Sequence, residues 1–505
     1  MTFRDLTFSF IRRYASVFVA LFCILALYLF VSIGYLSVLG PVIGASLGGI
    51  IAVILLLYPK QTTVEKLNRT PPDYRIPAII TSLYILSIIV MYRFVLYQRP
   101  VSHYVVYGMF AGYIGYEIAS GASKVRVMPQ ILVLVFFTYW STQFAFPAGM
   151  YSPDTKGRAL PVIRQALTDG YIPVRWITYF GEFNFVTQFT LITGLSAEIS
   201  YYLLSALVLT GTLLLISILN ISMPQINDRI ALYAALIFGT MGWTVGRGIQ
   251  PNKLNFFYPL ILLIGMVAIG IFSAKKSTTR NRWVVVGVVA SPALIFGHRF
   301  SAGATMVFVG TIGLFVLLAN TVLKDEYTLP KGGSTLGFVF AYFVAILGNP
   351  VHQGPLSTRL VGLFSSIFFP QGSSTSGGGP GRYSELSFDL LFLSTSGQTI
   401  LFALGVLGAA LVIQRQDWEF DLNIVWMGVL AILLAVSLVF NAADVQPQRF
   451  YSLLGLFGLN VCAGAALVYF VKSDIQLVSA RTTVVVLCAF TILSLGSPVA
   501  STHLS

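Results

Sequence analysis

Residues 147–194 read PAGMYSPDTKGRALPVIRQALTDGYIPVRWITYFGEFNFVTQFTLITG. This stretch interrupts two apolar runs, 127–146 and 196–220, each close to the roughly 20 residues that a membrane-spanning helix needs. It gathers Asp154, Lys156, Arg158, Arg164, Asp169, Arg175 and Glu182 into a few turns of chain. A long oily run, a charged loop and a second oily run describe a helical membrane protein with its chemistry concentrated between spans. Within the loop, Pro153 fixes the backbone before Asp154, and RALPVIRQAL has the spacing of a short amphipathic helix that ends at Asp169-Gly170.

The same rhythm continues in both directions. Apolar runs lie near 14–36, 38–58, 76–96, 101–119, 127–146, 196–220, 229–247, 255–273, 283–299, 302–322, 335–348, 398–413, 423–440, 451–471 and 482–499. They are continuous, whereas barrel strands alternate in polarity and are about half as long. The expected fold class is therefore all-α and polytopic, with about 13–15 transmembrane helices because two of the runs are short. One membrane domain is expected over 1–505, made of an N-terminal five-helix part (1–146), the outer loop (147–195), central helices (196–348), a second outer segment (349–397) and C-terminal helices (398–505). The first run, from Tyr14 to about Leu36, is too long for a signal-peptide core and lacks a small-residue cleavage site, so a retained helix is expected.

Composition agrees. Of 505 residues, 56% are hydrophobic and 10% charged, with a mean hydropathy of +0.82, against about 25% charged in a soluble domain. The net charge is +13, but the basic residues are scattered over many short loops. That pattern points to membrane orientation and not to nucleic acid. With Arg4, Arg12 and Arg13 in the cytoplasm, the basic loop 274–282 also falls inside, and so do 59–75 and 120–126. The two longest polar segments, 147–181 and 349–397, then share the extracytoplasmic side of a plasma membrane. Cys23, Cys462 and Cys488 all sit inside apolar runs without metal-ligand spacing and suit helix packing.

Ionisable residues avoid the span centres. Arg93, Glu117, Glu198 and Arg247 all lie toward helix ends. Ion-coupled transporters instead place charged sites and broken helices near the midplane, so weight moves to chemistry at the outer surface. There the inventory includes Asp154, Lys156, Arg158, Glu182, His298, Arg299, Arg359, Arg382, Glu385 and Arg449. The excess of basic groups suits a lipid-linked phosphate, since Arg grips phosphate oxygens in bidentate fashion and Lys acts as a point charge. In 349–397, Leu356–Phe369 suits an interfacial helix, and GSSTSGGGPGRYSE suits either a lid or a plain flexible connection.

Several pieces together resemble a known family. These are Ser-Pro-Asp154, the run from Arg164 through Gly170-Tyr-Ile-Pro173, Tyr179-Phe-Gly-Glu182, and Thr193-Gly-Leu-Ser196. Further along come Phe-Gly-His298-Arg299 and Asp444-Val-Gln-Pro-Gln-Arg449-Phe450. The combination resembles the GT-C superfamily of membrane glycosyltransferases, most of all archaeal proteins similar to protein O-mannosyltransferases and oligosaccharyltransferases. The resemblance implies transfer of a sugar from a polyprenyl-phosphate donor to a glycan, lipid or protein acceptor. It implies Asp154 as the base, with Glu182 as the second carboxylate. Arg158, Arg299 and Arg449 would hold the leaving phosphate, assisted by Lys156 and His298, and Arg359, Arg382 and Glu385 would belong to a lid or acceptor region. A divalent metal stays open: Lys156 and Arg158 stand where the family often has a second acid or a His. Two other functions fit the same topology, a transporter or flippase of lipid-linked saccharide and an O-antigen polymerase or ligase. In the latter, Arg359 and Arg382 would matter more than Asp154.

Overall fold

The structure, a computed structural model, describes residues 39–57, 73–94, 100–145, 155–173, 180–223, 226–274, 276–322, 333–349, 388–414, 458–472 and 480–495. Among these residues the fold is all-helical, with no strands. Among the described residues four helices precede the charged loop: α1 (Leu39–Leu57), α2 (Arg75–Phe94), α3 (Val101–Ala119) and α4 (Lys124–Ala145). The loop contributes a π-helical turn (Thr155–Ala159), α5 (Leu160–Asp169) and α6 (Phe180–Thr193). Then come α7 (Ala197–Ser217), α8 (Asp228–Thr240), α9 (Gly242–Ile249), α10 (Tyr258–Ser273), α11 (Ser277–Gly297), α12 (Arg299–Val322) and α13 (Gly333–Leu347). Last are α14 (Phe388–Gln414), α15 (Asn460–Lys472) and α16 (Ala480–Leu495).

Each expected apolar run is helical where it falls among the described residues, with ends shifted by a few residues, except that the helix over 398–413 begins earlier, at Phe388; 14–36, 423–440 and the start of 451–471 lie outside them. The amphipathic helix expected in the loop is also present. Its first turn takes Pro161, and it stops at Gly170, whose φ of 77° is the left-handed conformation that glycine adopts without penalty. The buried face is Leu160, Val162, Ile163 and Ala166. Helix α6 has no counterpart among the expected helices. Its residues FGEFNFVTQFTLIT scatter their apolar side chains around the whole helix, so neither helical nor strand periodicity marks them.

At the centre is α8. From Ile230 to Thr240 every residue is buried, as befits a helix that is apolar on all sides. It packs against α7, α4 and α15. The outer helices are the opposite. On α2, Ile79, Leu83, Leu86 and Val90 are exposed in one i, i+4, i+7, i+11 stripe. A continuous apolar stripe facing outward suits a lipid solvent, since soluble monomers rarely show one. Among the described residues two helices are long and apolar enough to cross a membrane, Arg75–Arg93 and Ala197–Ser217, and the bent pair α8–α9 makes a third candidate. Glycines bring α1, α14 and α15 together. A Cβ on Gly44 or Gly48 of α1 would strike the backbone of Thr399 or Ala403 on α14, and one on Gly408 would strike the Cys462 carbonyl of α15. Small residues four apart that admit a neighbouring backbone are the usual packing device between helices in lipid.

One expected run differs. Residues 229–247 form two helices, α8 and α9, bent by 53° at Met241. Met241 has extended backbone (φ −66°, ψ 140°), so the ladder stops there. No proline causes the break. Tyr139 of α4 donates its hydroxyl to the Gly239 carbonyl at 2.7 Å, taking an acceptor that a continuing helix would give to the amide four residues on. Its ring lies against Gly248, where a Cβ would collide with it. The wedge comes from a residue 100 positions away, so the local sequence of 229–247 carries no sign of it.

Candidate functional site

Two polar clusters lie at opposite ends of α7. At its C-terminal end the Ser217 carbonyl accepts from Lys124 Nζ at 2.9 Å. Lys124 pairs with Asp228 at 2.7 Å, and Asn220 donates to the same carboxylate at 2.9 Å. Beside them Glu117, 0% exposed, meets Arg126 at 2.5 Å and Gln130 at 2.5 Å, and Tyr113 donates to it at 2.9 Å. The Arg126 guanidinium also sits 4.3 Å above the Tyr74 ring. At the other end of α7 are Tyr201 and Tyr202. Sixteen residues of helix separate Tyr201 from Ser217, about 24 Å at 1.5 Å per residue, against about 30 Å for a bilayer's hydrocarbon core.

The Tyr201 end holds the charged loop. Gly194 closes α6 with a φ of 69° and Ser196 caps α7 by accepting from the Ile199 amide, so the chain doubles back and lays α6 beside α7. Glu182, in the first turn of α6 and 2% exposed, accepts a hydrogen bond from the Tyr201 hydroxyl at 2.6 Å. A carboxylate in a helix's first turn is favoured by the positive end of the helix dipole. The Tyr201 ring rests edge-on against Phe256, and its hydroxyl also meets Thr155 and lies within electrostatic reach of Arg158. Thr155 donates to the Pro251 carbonyl at 2.9 Å, and Tyr202 donates to the Ile249 carbonyl. Asn255 ties the same end together through Ser205 and the Arg247 carbonyl, each at 2.8 Å.

His298 joins this cluster from the far side. Gly181 and Gly297 are so close that a Cβ on Gly181 would lie 2.8 Å from the Gly297 Cα, with Phe257 alongside. The Phe257 ring stacks on His298 at 5.3 Å and 16°. His298 Nδ1 accepts from the Ser301 amide at 3.1 Å and meets the Ser301 hydroxyl at 2.8 Å. Since Nδ1 accepts a backbone N–H, a neutral ring carries its proton on Nε2. The imidazole thus caps α12 with one nitrogen and keeps an N–H donor on the other.

Of the residues singled out from sequence, Glu182, Arg158 and His298 share one end of the bundle, and Lys156 is an exposed neighbour in the π-helical turn. Asp154 immediately precedes Thr155 but lies outside the described residues, as do Arg359, Arg382, Glu385 and Arg449; Arg299 begins α12, and its side chain lies outside them too. Sequence reasoning missed Thr155, Tyr201 and Ser301. Tyr201 and Tyr202 offered one signal, two adjacent tyrosines near the start of an apolar run, shortly after a capping Ser-Ala-Glu. Among the described residues no three His, Cys, Asp or Glu groups gather as metal ligands. At this end Tyr201 and Glu182 share a proton-bearing hydrogen bond, and the Arg158 charge lies within electrostatic reach of the Tyr201 hydroxyl. Neither a family model nor a curated protein matches the chain.

Proposed function

We propose that the chain is an integral plasma-membrane glycosyltransferase of about 13–15 spans, with its N-terminus in the cytoplasm. It takes a sugar from a polyprenyl-phosphate donor and places it on an acceptor at the extracytoplasmic side. The observation that carries this reading is the Glu182–Tyr201 pair, 2.6 Å apart and set beside Thr155 and Arg158 at one end of the bundle. The resemblance of this loop to GT-C proteins adds the substrate class.

The chemistry follows from those groups. An acceptor hydroxyl attacks the anomeric carbon of the donor, its proton goes to Asp154 or Glu182, and the bond from that carbon to the phosphate oxygen breaks with its electrons on the phosphate. Positive groups placed where that charge develops supply the largest share of such catalysis. Arg158, Arg299, Arg449, Lys156 and His298 are the candidates. A membrane-depth phosphate between an apolar bundle and an aqueous face also suits a charged loop that carries the amphipathic helix α5.

A second reading has its own observation. The broken pair α8–α9, bent by 53°, is a feature that transporters use around their substrates, and it favours movement of the lipid-linked saccharide across the membrane. Sealed vesicles carrying the full chain separate the two. Labelled polyprenyl-phosphate sugar should yield labelled acceptor, and less of it with Asp154→Asn or Glu182→Gln. Label that crosses the bilayer while still attached to its lipid would favour transport. Loss of transfer confined to Arg382→Ala would favour a polymerase or ligase.

A further inference from the structure

The break between α8 and α9 leaves a helix N-terminus inside the bundle. Helix α9 begins at Gly242 after extended Met241, and no side chain caps it. The Val245 amide bonds to the Met241 carbonyl, so the amides of Gly242, Trp243 and Thr244 are the unsatisfied donors of the first turn. Thr244 is 1% exposed, and its hydroxyl has no hydrogen-bond partner among the described residues. Side chains lean toward the N-terminus of their helix, so Thr244, the third residue, leans toward the same opening. Tyr258, also buried, has a hydroxyl without a partner among the described residues. Its ring packs on Phe238 at 6.0 Å, and it interacts electrostatically with Tyr139, the residue that wedges the break open. Gly242 and Trp243 are half-buried, which leaves a way in.

The charges have the same sign. Arg247 lies one turn along α9, yet its guanidinium folds back over the Trp243 ring, 4.9 Å from the centroid. That brings a full positive charge to the side chain of the first turn, next to the positive end of the helix dipole. The positive end of the α9 dipole and the buried Thr244 hydroxyl in its first turn together favour an anion, and first-turn amides fit phosphate oxygens.

We propose that the N-terminus of α9, with Thr244, Tyr258 and Arg247, is a phosphate-binding subsite. Its ligand is a phosphate group, and on the transferase reading above it is the phosphate of a lipid-linked substrate or of the polyprenyl phosphate released by transfer. The subsite lies deeper in the bundle than Glu182, because α9 runs from it out to Ile249, the acceptor of Tyr202.

The test uses the purified full chain in nanodiscs and calorimetric titration with citronellyl phosphate, a short polyprenyl phosphate. Citronellol, inorganic phosphate and phosphatidylglycerol nanodiscs are the comparison arms. Citronellyl phosphate should bind, and Thr244→Val and Arg247→Gln should each weaken it about 10-fold, the scale of a hydrogen bond to a charged group. Thr244→Val should not lower the unfolding midpoint without ligand, because its hydroxyl bonds to nothing among the described residues. Equal sensitivity of inorganic phosphate to Thr244→Val would assign the site to free phosphate, and an effect of phosphatidylglycerol would assign it to a bulk lipid headgroup. Unchanged affinity in both variants, or equal binding of citronellol, would overturn the subsite. Phosphate binding that responds to Thr244→Val in a wild-type chain without sugar transfer would sink the transferase reading and leave the subsite standing.

Discussion

Glu117 and Glu182 are both buried carboxylates, and they sit at opposite ends of the bundle. Glu117 is locked. Arg126 reaches its Oε1 through two nitrogens, at 2.9 and 2.5 Å, Tyr113 reaches the same oxygen, and Gln130 takes Oε2. The cation arrives from the neighbouring helix across a turn of only four residues, 120–123, so the pair fastens α3 to α4. Glu182 instead takes a short hydrogen bond from a phenol, Tyr201, with Thr155 and Arg158 around it. A carboxylate clamped by a guanidinium and an amide is poorly placed to exchange protons. A carboxylate that shares a hydrogen bond with a phenol has a hydroxyl proton within 2.6 Å of it. On the proposed function, the difference puts architecture at the Glu117 end and chemistry at the Glu182 end.

The largest expected effect is on rate. Glu182→Gln keeps an oxygen for Tyr201 and should retain the fold, while sugar transfer falls by about 10²–10⁴-fold, the usual worth of a general base. If Asp154 is the base, Asp154→Asn shows that loss and Glu182→Gln does not, and a titration of initial rates distinguishes them.

The opposite end should respond in stability. Glu117→Ala strands the Arg126 guanidinium in a buried site, which costs about 3–5 kcal/mol. Thermal unfolding in detergent should show the drop, and the molecules that remain folded should transfer sugar normally. A smaller loss is expected for Tyr139→Phe, which leaves the Gly239 carbonyl without its donor at a cost of about 1–3 kcal/mol. As the bend at Met241 relaxes, the Trp243 amide should take part of that acceptor, readable as slower amide exchange at Trp243.

The smallest effect sharpens the contrast between buried and exposed pairs. Arg164 pairs with Glu198 at the Glu182 end, but the arginine side chain is 63% exposed. Arg164→Ala should cost under about 1 kcal/mol, and less still in high salt. A loss comparable to that of Glu117→Ala would mean that the two ends differ less than their burial implies.

Sequence made the helices legible because lipid imposes a simple rule, long apolar runs between polar turns. Gly170 and the amphipathic residues after Arg158 were legible for the same reason, since both are local. The α8–α9 break was not, because its cause is Tyr139 on another helix. Helix α6 was missed because Phe183, Phe185 and Phe189 share no face with a single environment. At the site, Glu182, Arg158 and His298 were visible as polar residues in an oily chain, but Tyr201 looked like ordinary packing until the fold turned it toward Glu182. The loop 120–126 looked like a plain connector. It carries Arg126, and the burial of Glu117 makes that arginine structural.

The division of labour between the ends has one direct test: initial transfer rate and unfolding midpoint, measured together for Glu182→Gln, Asp154→Asn and Glu117→Ala in the same reconstituted membranes. The account predicts that Glu182→Gln or Asp154→Asn loses transfer with its midpoint intact, and that Glu117→Ala loses midpoint with transfer per folded molecule intact. Wild-type transfer by both Glu182→Gln and Asp154→Asn, or an equal loss of transfer per folded molecule in Glu117→Ala, would contradict it.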